Sequence, residues 1–297
     1  MNTSYDVVVI FFIMDEIVKK LKKEGFLPIS GRGRKSKLTT SELLTIGVIC
    51  HLEQVQSLKR LHRLIKSPLF GGCFNEVPCY EQFTTAMRNI NNILSPVINF
   101  FALINGSMDG ETNIIDSTPL PITTYPFKYI KWAGNKSSLS KCLDEWYQGF
   151  KLHLVVNKDM EIVSHRLTTA GVHDSNMLDK KGLLSNVSGD LIGDKGYIGE
   201  KRKNDLALLG INLFTPLRDN MDQSKNTFKP EHKKTRKLVE TSFGKMKDHF
   251  CLVYRFARNV DGFFSWVKST LLAYSISILL ENTEKMGNFL KALSCQC

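Results

Sequence analysis

Apolar residues recur at helical spacing in the first hundred positions and at alternating spacing after about residue 111, so the chain changes texture once. The first helix is predicted over Ile10–Glu24, stopped by Gly25 and Pro28. Thr39/Thr40-Ser41-Glu42 carries the signature of a capping box and opens a second helix with Leu43, Leu44, Ile46 and Ile49 on its buried side. A third runs from Ser57 to Lys66, with Leu58, Leu61, Leu64 and Ile65 inside. Pro68 and Gly71-Gly72 break the chain, a fourth helix covers Tyr80–Ile93, and Pro96–Ile104 is an apolar helix leading out. Thr112–Thr118 then reads as a short strand ending near Asp116, and residues 119–145 as a proline-containing loop. Trp146–Val156 and Glu161–Ala170 alternate as the two arms of a hairpin turning at 157–160. Further on come a helix starting at His173, a strand Asp190–Gly193, a helix Asn204–Leu209, a strand Ile211–Pro216, and helices Glu231–Phe256 and Phe263–Glu284.

Strands alternating with helices predict an α/β fold, a mixed sheet flanked by helices and preceded by a small all-helical region. The division expected is 1–106 for the helical part and 107–297 for the α/β part with its C-terminal helices.

Charge alters this picture. Forty Lys and Arg against 29 Asp and Glu leave +11 on 297 residues, which points to a polyanionic partner. A membrane is the weaker choice, because Val7–Met14 and Leu271–Leu280 are too short to span one. Val7–Met14 follows Asp6 and precedes Asp15-Glu16, unlike a secretory signal core. The seven cysteines form neither a disulfide framework nor paired zinc spacing, which suits a reducing, cytoplasmic setting.

The basic side chains fall into two groups in the helical part. Arg32, Arg34 and Lys35 belong to a short basic run that is either a phosphate-contacting arm or a solvated linker. Lys59, Arg60 and Arg63 share the polar face of the third helix, and three short helices with such a face resemble a helix-turn-helix; the alternative is a plain bundle with surface charge.

Three acids stand where a metal-dependent phosphoryl-transfer site needs them. Asp116 ends one strand, Asp194 follows another inside Leu191-Ile192-Gly193-Asp194-Lys195-Gly196-Tyr197, and Glu240 lies on the helix after residue 230. At 100° per residue, Arg236, Glu240 and Lys247 fall within about 60° of one another, beside an apolar stripe of Val239, Phe243, Met246 and Phe250. Hard carboxylates can anchor two Mg²⁺ ions about 4 Å apart, which stabilise the attacking and leaving oxygens of a phosphodiester. Arg236 and Lys247 could contact nearby phosphates; the plainer reading is an exposed Arg236–Glu240 ion pair. His173-Asp174 either flanks the metal site or starts a helix, and Tyr129 and Trp132 either stack on a base or pack beside the sheet. Trp146 is read as core.

Ile115-Asp116-Ser117-Thr118-Pro119, Tyr147-Gln148-Gly149-Phe150-Lys151-Leu152-His153, Gly193-Asp194-Lys195-Gly196-Tyr197 and Arg236-x3-Glu240-x6-Lys247 together resemble the DDE transposases of bacterial insertion sequences, the branch with a ribonuclease H-like catalytic domain. The resemblance implies that Asp116, Asp194 and Glu240 hold Mg²⁺, with Mn²⁺ able to substitute, and that Arg236 and Lys247 touch DNA at the cleavage point. It implies cutting at element ends and transfer of the freed 3′-OH into target DNA. Related members often carry Tyr three residues before the Arg; here Lys233 stands there and can still meet a phosphate. Double-stranded DNA is the expected partner, a homodimer on DNA the expected assembly, and a nucleoid-associated bacterial setting the expected location. The rivals are a nuclease of the same fold that does not join strands, and a remnant that binds DNA without chemistry.

Overall fold

A computed structural model describes residues 7–28, 36–70, 73–74, 76–108, 112–125, 130, 132–142, 144–178, 182–253 and 257–294. In chain order the elements are α1 (Val7–Lys23), α2 (Thr40–Leu52), α3 (Leu58–Ile65), α4 (Tyr80–Asn89), α5 (Asn91–Met108), β1 (Thr112–Thr124), β2 (Ser138–Cys142), β3 (Glu145–Asn157), β4 (Ile162–Thr169), β5 (Gly189–Ile192), α6 (Glu200–Ala207), β6 (Ile211–Phe214), α7 (Pro230–Asp248), α8 (Val260–Glu281) and α9 (Thr283–Ser294). Contacts divide the chain into two compact units, Met1–Phe100 with Met246–Cys297, and Phe101–Lys245. Residues 246–297, grouped with the α/β part on sequence, thus associate with the N-terminal helices.

The first unit is helical. Thr39 caps α2 through the backbone N–H of Glu42, whose carboxylate accepts from the Thr39 N–H in return, completing the capping box. α2 and α8 are apolar on nearly every side and bury most of their lengths. α8 is long and apolar enough to cross a bilayer, but 78% of that stretch is buried within the fold, as in a core helix. Lys59, Arg60 and Arg63 are exposed on α3 while Leu61 and Ile65 are buried. Arg32, Arg34, Lys35 and Tyr129 lie outside the described residues.

The second unit carries a six-stranded sheet. β3 pairs antiparallel with β1 on one side and with β2 and β4 on the other; beyond β1, β5 and β6 follow in parallel. The five strands β4-β3-β1-β5-β6 thus give three antiparallel members followed by two parallel ones, the mixed sheet of a ribonuclease H-like fold. One sheet face packs Ile115, Val155 and Leu191 against Leu183, Leu184, Leu206 and the ring of Tyr197.

Expectations for the α/β part change as well. The region 119–145 is not one loop, because β1 continues through Pro119 and Pro121 to Thr124 and β2 follows. β5 pairs with β1 only up to Ile114, and beyond it no strand among the described residues pairs with that edge of β1, where proline's missing N–H is tolerated. The helix expected from His173 is a single 3₁₀ turn over Asp174–Met177. Trp146 is not core; it is half exposed.

Candidate active site

Register brings the first two acids together. β1 and β5 run parallel with Ile114 opposite Ile192, and pairing stops there. Asp116, on β1, and Asp194, just past the end of β5, each follow two residues later, where the chains leave strands about 4.8 Å apart, and the charge of Asp194 is felt at Asp116. Apolar partners hold the strands in that register: Ile114, Ile115, Leu191 and Ile192 are buried. Gly193 then admits Tyr197; a Cβ there would lie 3.1 Å from Ile115 Cγ2 and 3.2 Å from Tyr197 Cδ2. After it, Asp194 caps a 3₁₀ turn, its Oδ1 accepting from the Gly196 N–H at 2.7 Å.

α7 supplies the third acid. Val239, Phe243, Met246 and Phe250 are buried, as the apolar stripe predicts. On the adjoining face Arg236 reaches in two directions, its Nη1 standing 3.5 Å from Asp116 Oδ2 and its Nη2 2.6 Å from Glu240 Oε1. The Arg236–Glu240 ion pair expected as the plain alternative therefore exists, and the same guanidinium also ties α7 to Asp116. Lys233 and Lys247, on the same helix, are exposed and have no ion-pair partner among the described residues.

Burial shapes the charge of the site. Asp116 is pushed up to about 7, chiefly by burial and further by Asp194 and Glu240, against the Ser117 N–H and Arg236. Asp194 is raised in the same direction by burial and by Asp174, against the Gly196 N–H, Arg236 and Lys151. Positive charge is what such a place favours, and its hard oxygen donors suit Mg²⁺. Among the described residues no three His, Cys, Asp or Glu side chains stand close enough to hold a metal as placed; the Arg236 guanidinium spans two of the carboxylates.

Four further residues belong to this group. Ser117 donates its N–H to Asp116 Oδ1 at 2.8 Å and its hydroxyl to Asp174 Oδ1 at 2.9 Å. Lys151 Nζ donates to Asp174 Oδ1 at 3.1 Å, and the buried Tyr197 hydroxyl is held well above its usual ionisation range by burial and by Asp174, Asp116 and Asp194. The sequence leaves Asp174 open between a place at the metal site and a helix start, and gives Lys151 no role of its own. The available signal was a lysine and a histidine breaking the apolar run of β3 at alternate positions. His173 is exposed and Trp132 partly buried.

Basic side chains line two concavities among the described residues. Beside Asp194, a shallow cavity of about 490 Å³ is lined by Lys195, Gly196, Arg218, Asp219 and Asn220, with Lys195 paired to Asp219 at 3.1 Å. In the helical unit, a cleft of about 720 Å³ carries Lys59, Arg88 and Arg258, and no carboxylate among the described residues lines it.

A family model described as "Transposase DDE domain" matches residues 106–259, more than half of the chain. A comparison with curated proteins gives no match. Among solved structures, the chain is similar to a piggyBac transposase in a synaptic complex with hairpin DNA, at 13% identity and a TM-score of 0.46, covering 98% of this chain and 80% of that one. It is also similar to the Mos1 strand transfer complex, at 10% identity and a TM-score of 0.32, over 93% and 84% of the two chains.

Proposed function

The chain belongs to the transposase DDE domain family, and on that premise we propose that Asp116, Asp194 and Glu240 are its metal-holding carboxylates. The protein cuts DNA at the ends of an insertion sequence and passes the freed 3′-OH to target DNA. The observation that carries this reading is convergence: acids from β1 and α7, far apart in sequence, share one guanidinium, and the β1–β5 register sets Asp194 near enough to Asp116 to raise its pKa.

These carboxylates would hold two Mg²⁺ ions, or Mn²⁺ in their place. When bound, the ions supply Lewis-acid stabilisation of the attacking and leaving oxygens. The chain's own residues do the remainder. Asp116 and Asp194 are fixed by backbone N–H groups, so neither turns away when charge arrives. Arg236, bound to Asp116 and Glu240, is positioned to turn to a phosphate when cations neutralise those acids. Lys233 and Lys247 flank it along α7, and Lys195 and Arg218 line the cavity beside Asp194. Lys59, Arg60 and Arg63 on α3 grip duplex DNA, and the arm residues Arg32, Arg34 and Lys35 are assigned to the same task. Two element ends must be cut together, so a homodimer on DNA completes the proposal.

The test uses full-length protein, Mg²⁺, DNA carrying candidate element ends and a target plasmid, beside Asp194→Asn. Joined products that vanish in the variant support the transposase reading. Cleavage without joining replaces it with a nuclease, and binding without chemistry in any metal replaces it with a DNA-binding remnant.

A further inference from the structure

Asp174 has no part in the three-carboxylate reading, yet it bonds to the strand that carries Asp116 and packs against the turn that Asp194 caps. It enters from the 3₁₀ turn after β4. Its Oδ1 accepts from the Ser117 hydroxyl at 2.9 Å, and Ser117 in turn donates its backbone N–H to Asp116 Oδ1 at 2.8 Å. On its other side, a Cβ at Gly196 would lie 3.2 Å from Asp174 Oδ2 and 2.9 Å from Asp194 Oδ1. Asp174 and Asp194 therefore both close on the same glycine. One carboxylate is bonded to the residue after Asp116 and packed against the residue two after Asp194.

The charge of Asp174 is already answered. Lys151 Nζ donates to its Oδ1 at 3.1 Å and is itself anchored on the Val172 carbonyl at 3.1 Å. The His153 imidazole, fully buried on the same strand, brings its Nδ1 to 3.6 Å from that oxygen. With two donors on Oδ1, one of them the Lys151 cation, Asp174 is engaged as a brace rather than presented as a spare ligand.

We propose that Asp174, held by Lys151, is a positioning residue that sets the spacing of Asp116 and Asp194 and thereby tunes the site to Mg²⁺. This rests on those two acids being metal ligands. Mg²⁺ requires near-ideal octahedral geometry at about 2.0–2.1 Å, whereas the larger Mn²⁺ accepts less regular donors. Loosening the brace therefore penalises Mg²⁺ more than Mn²⁺. Supporting partners behind metal ligands commonly change affinity or activity by about 10- to 100-fold.

The experiment compares parent, Asp174→Ala, Asp174→Asn and Ser117→Ala in the full chain. Mn²⁺ affinity is read by electron paramagnetic resonance without DNA, and cleavage is followed separately in Mg²⁺ and in Mn²⁺. Asp174→Ala is expected to bind Mn²⁺ about tenfold more weakly and to lose about 30-fold or more of its Mg²⁺-supported rate, with only a few-fold loss in Mn²⁺. Ser117→Ala, which removes the bond to β1 while leaving Asp174 in place, shifts the Mg²⁺-to-Mn²⁺ ratio in the same direction. Asp174→Asn keeps an acceptor for Ser117, loses the charge facing Lys151, and falls between. Equal losses in both metals overturn the proposal: with a lowered melting temperature they make the role structural, and with Mn²⁺ binding abolished they make Asp174 a ligand. Unchanged ratios in all variants also overturn it. Retained cleavage by Asp194→Asn instead sinks the carboxylate reading on which the brace depends.

Discussion

Two glycines beside the carboxylates separate what the fold needs from what the site needs. At Gly149, on β3, a Cβ would lie 2.3 Å from the Leu120 carbonyl oxygen and 3.0 Å from the Ile122 nitrogen. Both are backbone atoms of β1, so nothing flexible can give way and the strand pair must separate. Gly149→Ala is expected to cost about 3 kcal/mol or more, visible as lost soluble yield and a lower urea midpoint. At Gly196 the added Cβ meets the ends of two side chains, Asp194 and Asp174. Those carboxylates can swing away, so Gly196→Ala is expected to cost only about 1 kcal/mol in stability. Cleavage should fall far more steeply, because the swing displaces Asp194. A urea melt beside a cleavage assay distinguishes the two glycines; a Gly196→Ala protein with parental activity would show that Asp194 need not stay where its turn holds it.

Elements were legible where one local signal was strong and nothing distant competed with it. The capping box at Thr39 and the apolar stripe of α7 both appear as read, and Thr39→Ala should cost about 1 kcal/mol in a thermal melt. Asp194 and Glu240 could be picked out because one follows a strand's end and the other lies on a defined helix face; Asp116 interrupts an apolar run, although β1 continues past it to Thr124. Their supporting residues could not, since Ser117, Lys151 and Asp174 are joined by hydrogen bonds across 23 to 57 residues that no local pattern encodes. The same bonds explain the missing helix at residue 173: Asp174 spends its carboxylate on Ser117 and Lys151, and His173 provides no cap. α7 was expected to reach Phe256 but ends at Asp248. The chain turns through Cys251 at φ +52°, and the Leu252 N–H closes on the Met246 carbonyl at 3.0 Å. This turn presents the Phe250 carbonyl to the buried His51, whose Nδ1 lies 2.7 Å away. Burial pushes His51 down to about 4 from 6.5, against the bond to Phe250. The folded state then binds fewer protons than the unfolded one, so this contribution to stability is present above pH 6.5 and drains away as pH falls towards 4. Unfolding followed from pH 7 to pH 4 should show the loss, and His51→Gln should flatten it.

At the scale of the whole molecule, the +11 charge predicts DNA affinity, and the fold predicts where much of it resides. The helical unit is assembled from both ends of the chain. Its cleft accordingly takes Lys59 from α3, Arg88 from α4 and Arg258 from the segment before α8, with Tyr80 on the rim and no acid among its described lining residues. None of these three cations has an ion-pair partner among the described residues, so binding a phosphate there breaks no existing pair. Each phosphate neutralised on duplex DNA releases condensed counterions, and the logarithm of affinity falls against the logarithm of salt with a slope of about −0.9 per contact. Replacing Lys59, Arg88 and Arg258 together by Gln should therefore make the slope shallower by about 2 to 3, measured by fluorescence anisotropy on a labelled duplex. Asp194→Asn should leave the slope unchanged, since it alters the chemistry and adds no phosphate contact in the cleft. A triple variant that keeps its melting temperature and also keeps the parental slope would remove the cleft from the DNA surface and leave the grip to α7 and the basic side chains beside Asp194.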